Sequence, residues 1–124
     1  MLKVDIIRID HYSRREVLWQ MLDEAFGDTP RFTKKEYMQS LQNPAHIYFI
    51  YTNTCCRKRL IGTFEIKQGI ELASFCIRPK FRRKGYGRQV ISCLKHRYPG
   101  LVVLAPAPGL KNTLYRGMEC IDLE

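Results

Sequence analysis

Apolar residues recur at three- and four-residue spacing through Val17, Leu18, Met21, Leu22 and Phe26, the interval that places side chains on one face of an α-helix. The spacing predicts a helix over residues 14–26. It is opened by Ser13-Arg14-Arg15-Glu16, where a hydroxyl and a carboxylate can satisfy free amides at a helix start. Gly27-Asp28-Thr29-Pro30 breaks the pattern, and Thr33-Lys34-Lys35-Glu36 opens a second, shorter helix with Tyr37, Met38 and Leu41 on one face. Asn43-Pro44 ends it. The period then changes. Residues 2–8, 46–52, 59–67 and 70–77 are rich in β-branched and aromatic residues and read as strands. Gln68-Gly69 leaves room only for a hairpin, so the last two should be antiparallel neighbours. Helical spacing returns at Val90, Ile91, Leu94 and Tyr98, and Pro99-Gly100 stops it. Residues 101–105 read as a buried strand, followed by a loop at Pro106 and Pro108, a short helix near 110–117 and a last strand near 119–123.

This order describes one mixed α/β (α+β) domain spanning residues 1–124, a central sheet flanked by about four helices. A chain that is 45% hydrophobic and 27% charged has the profile of a globular domain rather than a disordered one. No apolar run reaches the roughly 18–20 residues of a membrane span. MLKVDIIRID lacks the apolar core of a signal peptide, so a cytoplasmic location is expected. The five cysteines match no zinc spacing. Cys55 and Cys56 adjoin, while Cys76, Cys93 and Cys120 sit singly among apolar residues and read as small hydrophobes. No metal is expected.

Charge sharpens the picture. The net charge is +9, yet no acid lies between Glu71 and Glu119, a stretch carrying ten cations. The rest of the chain is nearly neutral, with eleven cations against twelve acids. A polyanionic ligand at the bare basic segment, a nucleotide-type cofactor or a nucleic acid, would account for that concentration.

Within it, residues 81–87 read FRRKGYG and stand between a strand and a helix. The first amides of a helix lack intrahelical acceptors and its dipole presents positive charge there. Glycines let a ligand approach the backbone, and cations neutralise phosphate. Alone, Arg82-x-x-Gly85-x-Gly87 also fits a capped helix with a solvated basic turn.

In context, with the strand ending Ile77-Arg78-Pro79 before it and LYRGM at 114–118 after it, the chain resembles the GNAT superfamily, the Gcn5-related N-acetyltransferases. The element order matches over essentially the whole chain, and region 70–117 is the most specific part. The resemblance implies acetyl-CoA as cosubstrate. The backbone of Phe75, Cys76 and Ile77 would pair with the pantetheine arm. The amides of Arg83, Lys84, Gly85, Tyr86, Gly87 and Arg88 would cradle the pyrophosphate, with Arg82, Arg83 and Lys84 adding charge. Asn112 lies near the place of a family asparagine, which is Pro108 here. Tyr115 falls where the family carries the tyrosine that protonates the departing thiolate.

The acceptor half matches less well. Residues 101–105 offer no carboxylate, and the family's Gly-Phe reads Glu119-Cys120. Glu65 and Glu71, flanking the hairpin, are candidate bases by position; each also fits a solvated strand-edge charge. His46 fits a satisfied polar residue, and deprotonation through water is a further route. Asp23, Glu24 and Asp28 are placed to attract a cationic amine. The resemblance thus implies an N-acetyltransferase acting on a small-molecule or peptide amine, as a monomer or a homodimer. A GNAT-fold acetyl-CoA sensor regulating a partner protein is the alternative. A basic nucleic-acid-binding domain is the third reading, opposed by the lack of aromatics interleaved with the cations.

Overall fold

The computed structural model describes residues 4–9, 11–27, 33–35, 45–54, 57–104, 109–110 and 113–121. Six strands form one mixed sheet in chain order: β1 (Val4–Arg8), β2 (Ala45–Thr54), β3 (Arg57–Lys67), β4 (Glu71–Ile77), β5 (Val102–Leu104) and β6 (Glu119–Ile121). The pairs β1–β2, β2–β3 and β3–β4 are antiparallel; β4–β5 and β5–β6 are parallel. Two helices are described in full, α1 (His11–Phe26) and α2 (Tyr86–Arg97), with a 3₁₀ turn at Pro79–Phe81.

The sheet buries both faces. Leu18, Met21 and Leu22 of α1 pack on Ile47, Phe49 and Cys76. On the other face Val90, Ile91 and Leu94 of α2 pack against Phe64, Ile66, Leu72 and Val103. Each such side chain contributes about 1.5–3 kcal/mol when fully removed from water. The helical spacing in the sequence therefore marks the two stripes that sandwich the sheet. Among the described residues, no helix is long and apolar enough to cross a membrane.

The hairpin forms as expected. Gln68 and Gly69 both take positive φ, 53° and 76°, inside a turn that Ile70 N–H closes onto Lys67 O at 3.1 Å; with Lys67 paired to Glu71, the loop holds three residues. Four details differ. Helix α1 begins at His11, so Ser13 lies inside its first turn and is not the N-cap. Cys93 is exposed, because it falls on the outer side of α2 between the buried Ile91 and Leu94. Residues 113–117 form successive turns rather than an α-helix: Tyr115 N–H reaches Leu110 O at 2.8 Å, and Arg116 and Met118 bond three residues back. Gly117 at φ 84° then leaves the helical region altogether. Of the second expected helix, Lys34 and Lys35 are helical and residues 36–44 lie outside the described residues; so do Cys55, Cys56 and residues 122–124.

Gly62 shows how closely β3 and β4 approach. A Cβ added there would collide with the Cys76 carbonyl oxygen and crowd Ile77 Cδ1 at 3.1 Å. Gly62→Ala should destabilise the fold by about 1–3 kcal/mol, the usual cost of overpacking a closed core. Chemical denaturation checks this; an unchanged midpoint would contradict the packing described.

Candidate functional site

Strand β4 carries an irregularity that opens the sheet. Thr63 pairs with Cys76 and Glu65 with Ala73, so Ser74 and Phe75 together face Phe64 alone. Ser74 takes φ 52° to make this bulge, a left-handed conformation that costs a side-chain-bearing residue free energy and concentrates where structure has a task. Bulges bend the strand that holds them. Beside it, β5 pairs with β4 at Glu71 and Leu72 only. From Ala73 onward β5 makes no pairing with β4, so that edge is left open as a template for another extended chain up to Ile77, whose carbonyl accepts from Arg82.

That open edge is one wall of a cavity of about 470 Å³. Phe75, Cys76 and Ile77 line it from β4. Arg82, Arg83 and Gly85 line it from the following loop, and Tyr86 and Gly87 from the start of α2. Leu110, Leu114 and Tyr115 close the far side, and Ala25 of α1 the near one. Nine of the residues singled out in the sequence thus meet in one space.

The loop is shaped for close approach. Arg83 has φ 62° and Gly85 φ 89°. Gly85 is the N-cap of α2 and provides no side-chain cap. The first helical bond is Gln89 N–H to Gly85 O at 3.1 Å. The amides of Tyr86, Gly87 and Arg88 are left without intrahelical acceptors, at the positive end of the helix dipole. Arg82 has a structural duty besides its charge: its Nε donates to the Ile77 carbonyl at 2.8 Å, pinning the loop to the end of β4. Gly87 keeps its place clear, since a Cβ there would stand 3.4 Å from Leu114 and within 4 Å of Ile77 and Phe75.

Tyr115 is held by a run of aromatic contacts. Tyr48 stacks on the buried Phe64 at 5.0 Å, Phe64 lies 6.4 Å from Phe75, and Phe75 meets Tyr115 edge-on at 6.5 Å. Because the bulge aims Phe75, it also orients Tyr115. The phenol is only 7% exposed. Burial, with smaller contributions from Cys120 and Cys76, pushes its pKa up to about 12. Cys76 also lines the cavity, but its thiol is turned under α1, Sγ reaching Met21 O at 4.0 Å, and burial raises its pKa to about 11.

Other expected residues lie elsewhere. Lys84 is off the cavity wall, its ammonium 5.9 Å over the Phe81 ring. Arg88 lines a neighbouring groove. Asn112 lies outside the described residues. Glu65 is buried, 4% exposed, opposite Ile47 and so on the face of the sheet that α1 covers. Glu71 sits at the far end of β4, paired with Lys67 and Val102. His46 pairs with Ile66 at the start of β2. None of the three lines the cavity. Glu24 is matched by Arg78, whose guanidinium meets both its oxygens at 3.0 and 3.3 Å, which offsets the charge expected to draw in an amine. Asp28 lies outside the described residues. Sequence reasoning missed the bulge, Leu110 and Leu114; a serine at positive φ leaves no signature in the residue type. Among the described residues, no three His, Cys, Asp or Glu side chains are grouped to hold a metal ion.

Residues 9–101 match the family model described as "Acetyltransferase (GNAT) domain". Three solved structures share the fold. A domain from Methanocaldococcus jannaschii has a TM-score of 0.60 at 15% identity, covering 79% of this chain and 74% of that one. A GNAT family acetyltransferase of Staphylococcus aureus gives 0.52 at 12% identity, with 98% and 85% covered. A Trypanosoma brucei acetyltransferase gives 0.56 at 11% identity, with 98% and 96% covered. Searched by sequence against curated proteins, the chain finds no match.

Proposed function

We propose that this chain, which belongs to the GNAT acetyltransferase family, moves an acetyl group from acetyl-CoA to a primary amine in the cavity between β4 and α2. The observation that carries this reading is the cavity itself. It joins an open strand edge, for an extended amide-bearing arm, to helix-start amides beside Arg82 and Arg83, for phosphates. Extended amide chains add to open edges through backbone hydrogen bonds, and anions gather at helix starts. Coenzyme A carries both kinds of group in that order.

For the reaction, the amine must arrive without its proton, and the sulfur must leave as thiol. As the amine nitrogen bonds to the carbonyl carbon and the C–S bond breaks, Tyr115 on the wall gives its proton to the sulfur and regains one, through solvent, from the nitrogen that has attacked. No carboxylate or imidazole among the described residues lines the cavity, so the amine gives its proton to solvent before attack. The pH profile follows from this. The free-amine fraction of a lysine-like acceptor rises about tenfold per pH unit below its pKa near 10.4, while Tyr115 stays protonated to about 12. The rate should therefore climb through neutrality to about pH 10. A plateau between pH 6 and 7 would instead mark a protein base and return Glu65 or His46 to consideration.

A sensor that binds acetyl-CoA without turnover is the second reading, favoured by that same lack of an acid on the wall. A panel of amines assayed for coenzyme A release separates the two. Release with any amine above the hydrolysis background supports transfer. Saturable binding with no release from any amine supports the sensor.

A further inference from the structure

Beside the coenzyme cavity, and sharing Leu114 with it, lies a second groove of about 670 Å³ between α2 and the 113–117 turns. Arg88, Ser92 and Lys95 line it from α2, at intervals of four and three that set them on one helix face; Thr113, Arg116 and Gly117 line it opposite. Among the described residues, three cations line it and no acid does. Lys95 is drawn to the groove floor, its Nζ donating to the Arg116 carbonyl at 2.8 Å. Gly117 makes room for it, since a Cβ there would lie 3.4 Å from that nitrogen. The Thr113 hydroxyl is turned away, donating to Gly109 O at 2.7 Å. The donors left to face a ligand are the two guanidiniums, the remaining ammonium protons and the Ser92 hydroxyl, a set suited to a phosphate monoester.

From this arrangement we propose that the groove between Arg88 and Arg116 binds the ribose 3′-phosphate of the coenzyme, so that the protein distinguishes coenzyme A from its 3′-dephospho form. The inference rests on the coenzyme reading of the neighbouring cavity and adds to it a discrimination which that reading does not require. Arg88 links the two spaces: its backbone amide belongs to the helix start and its side chain to the groove. A ligand whose pyrophosphate lies on those amides, with its pantetheine arm running along β4, has its nucleoside end free to lie over this face of α2.

Calorimetric titration of the full chain with acetyl-CoA and with acetyl-3′-dephospho-CoA tests the assignment. The parent should bind acetyl-CoA about tenfold more tightly, a difference of about 1.4 kcal/mol, and the preference should shrink as salt screens the cations. Arg116→Gln and Arg88→Gln should each bring the two affinities to within about threefold, chiefly by weakening acetyl-CoA. Both side chains are exposed, and unchanged melting temperatures confirm folded variants. Equal affinities in the parent, or a preference that survives both substitutions, would overturn the groove while leaving the coenzyme cavity standing. Failure of both forms to bind would overturn the cavity reading, and the groove with it. Inorganic phosphate that weakens acetyl-CoA but not the dephospho form supports the site; phosphate that stabilises the protein without altering either affinity assigns the groove to free phosphate and overturns the proposal.

Discussion

Tyr115→Phe should lower turnover by about 10²–10⁴-fold, the usual worth of a general acid, while acetyl-CoA affinity stays nearly unchanged. The substitution keeps the ring that meets Phe75 and deletes only the transferable proton. A phenol at about 12 looks a poor donor to a thiolate whose conjugate acid has an ordinary pKa near 8.5, since the gap corresponds to about 5 kcal/mol uphill. The cavity supplies the correction. A thiolate leaving the thioester inside this cavity is itself desolvated, which raises the pKa of its conjugate acid above the ordinary value. The gap narrows, and a short O–H···S⁻ hydrogen bond offsets part of what is left. Steady-state kinetics and a binding titration decide it. Lost affinity in place of lost turnover would make the hydroxyl structural, and unchanged turnover would give protonation to water.

Gly87→Leu should abolish the rise in melting temperature caused by acetyl-CoA while leaving the free protein about as stable as the parent. The helix gains roughly 0.8–1 kcal/mol in propensity when glycine is replaced. Against this stands a tight but yielding contact with the tip of Leu114. The rest of the new side chain enters the cavity beside the free amides. Losing two charge-assisted hydrogen bonds, worth about 1.5–3 kcal/mol each, lowers affinity by about 10²–10⁴-fold. Gly85 is a less discriminating position, because at φ 89° any side chain costs about 1–2 kcal/mol in backbone strain. An undiminished ligand shift in Gly87→Leu would move the coenzyme away from α2.

Local chemistry was legible in the residues. Val90, Ile91 and Leu94 announced the buried face of α2, Gln68-Gly69 the hairpin, and FRRKGYG the loop that enters the helix, because each depends on neighbours within a turn. Features set by distant partners were not. Ser74 adopts its positive φ because the β3–β4 register shifts around Phe64, and no serine reveals that by type. The open edge of β4 depends on where β5 stops pairing. Glu24 reads as an exposed acid until Arg78, 54 residues away, is brought beside it. Tyr115 was placed by resemblance, but its burial comes from Phe75 and the bulge. Residues 113–117 carry helix-compatible side chains, yet take successive turns ending at Gly117.

Backbone amide NMR spectra recorded while acetyl-CoA is titrated into the full chain locate the bound cosubstrate. The predicted result is saturable shifts concentrated at Phe75–Ile77 and Arg83–Arg88, with smaller ones at Leu114 and Tyr115. Absent shifts, or shifts confined to the basic Arg57–Arg59 end of β3, would contradict it.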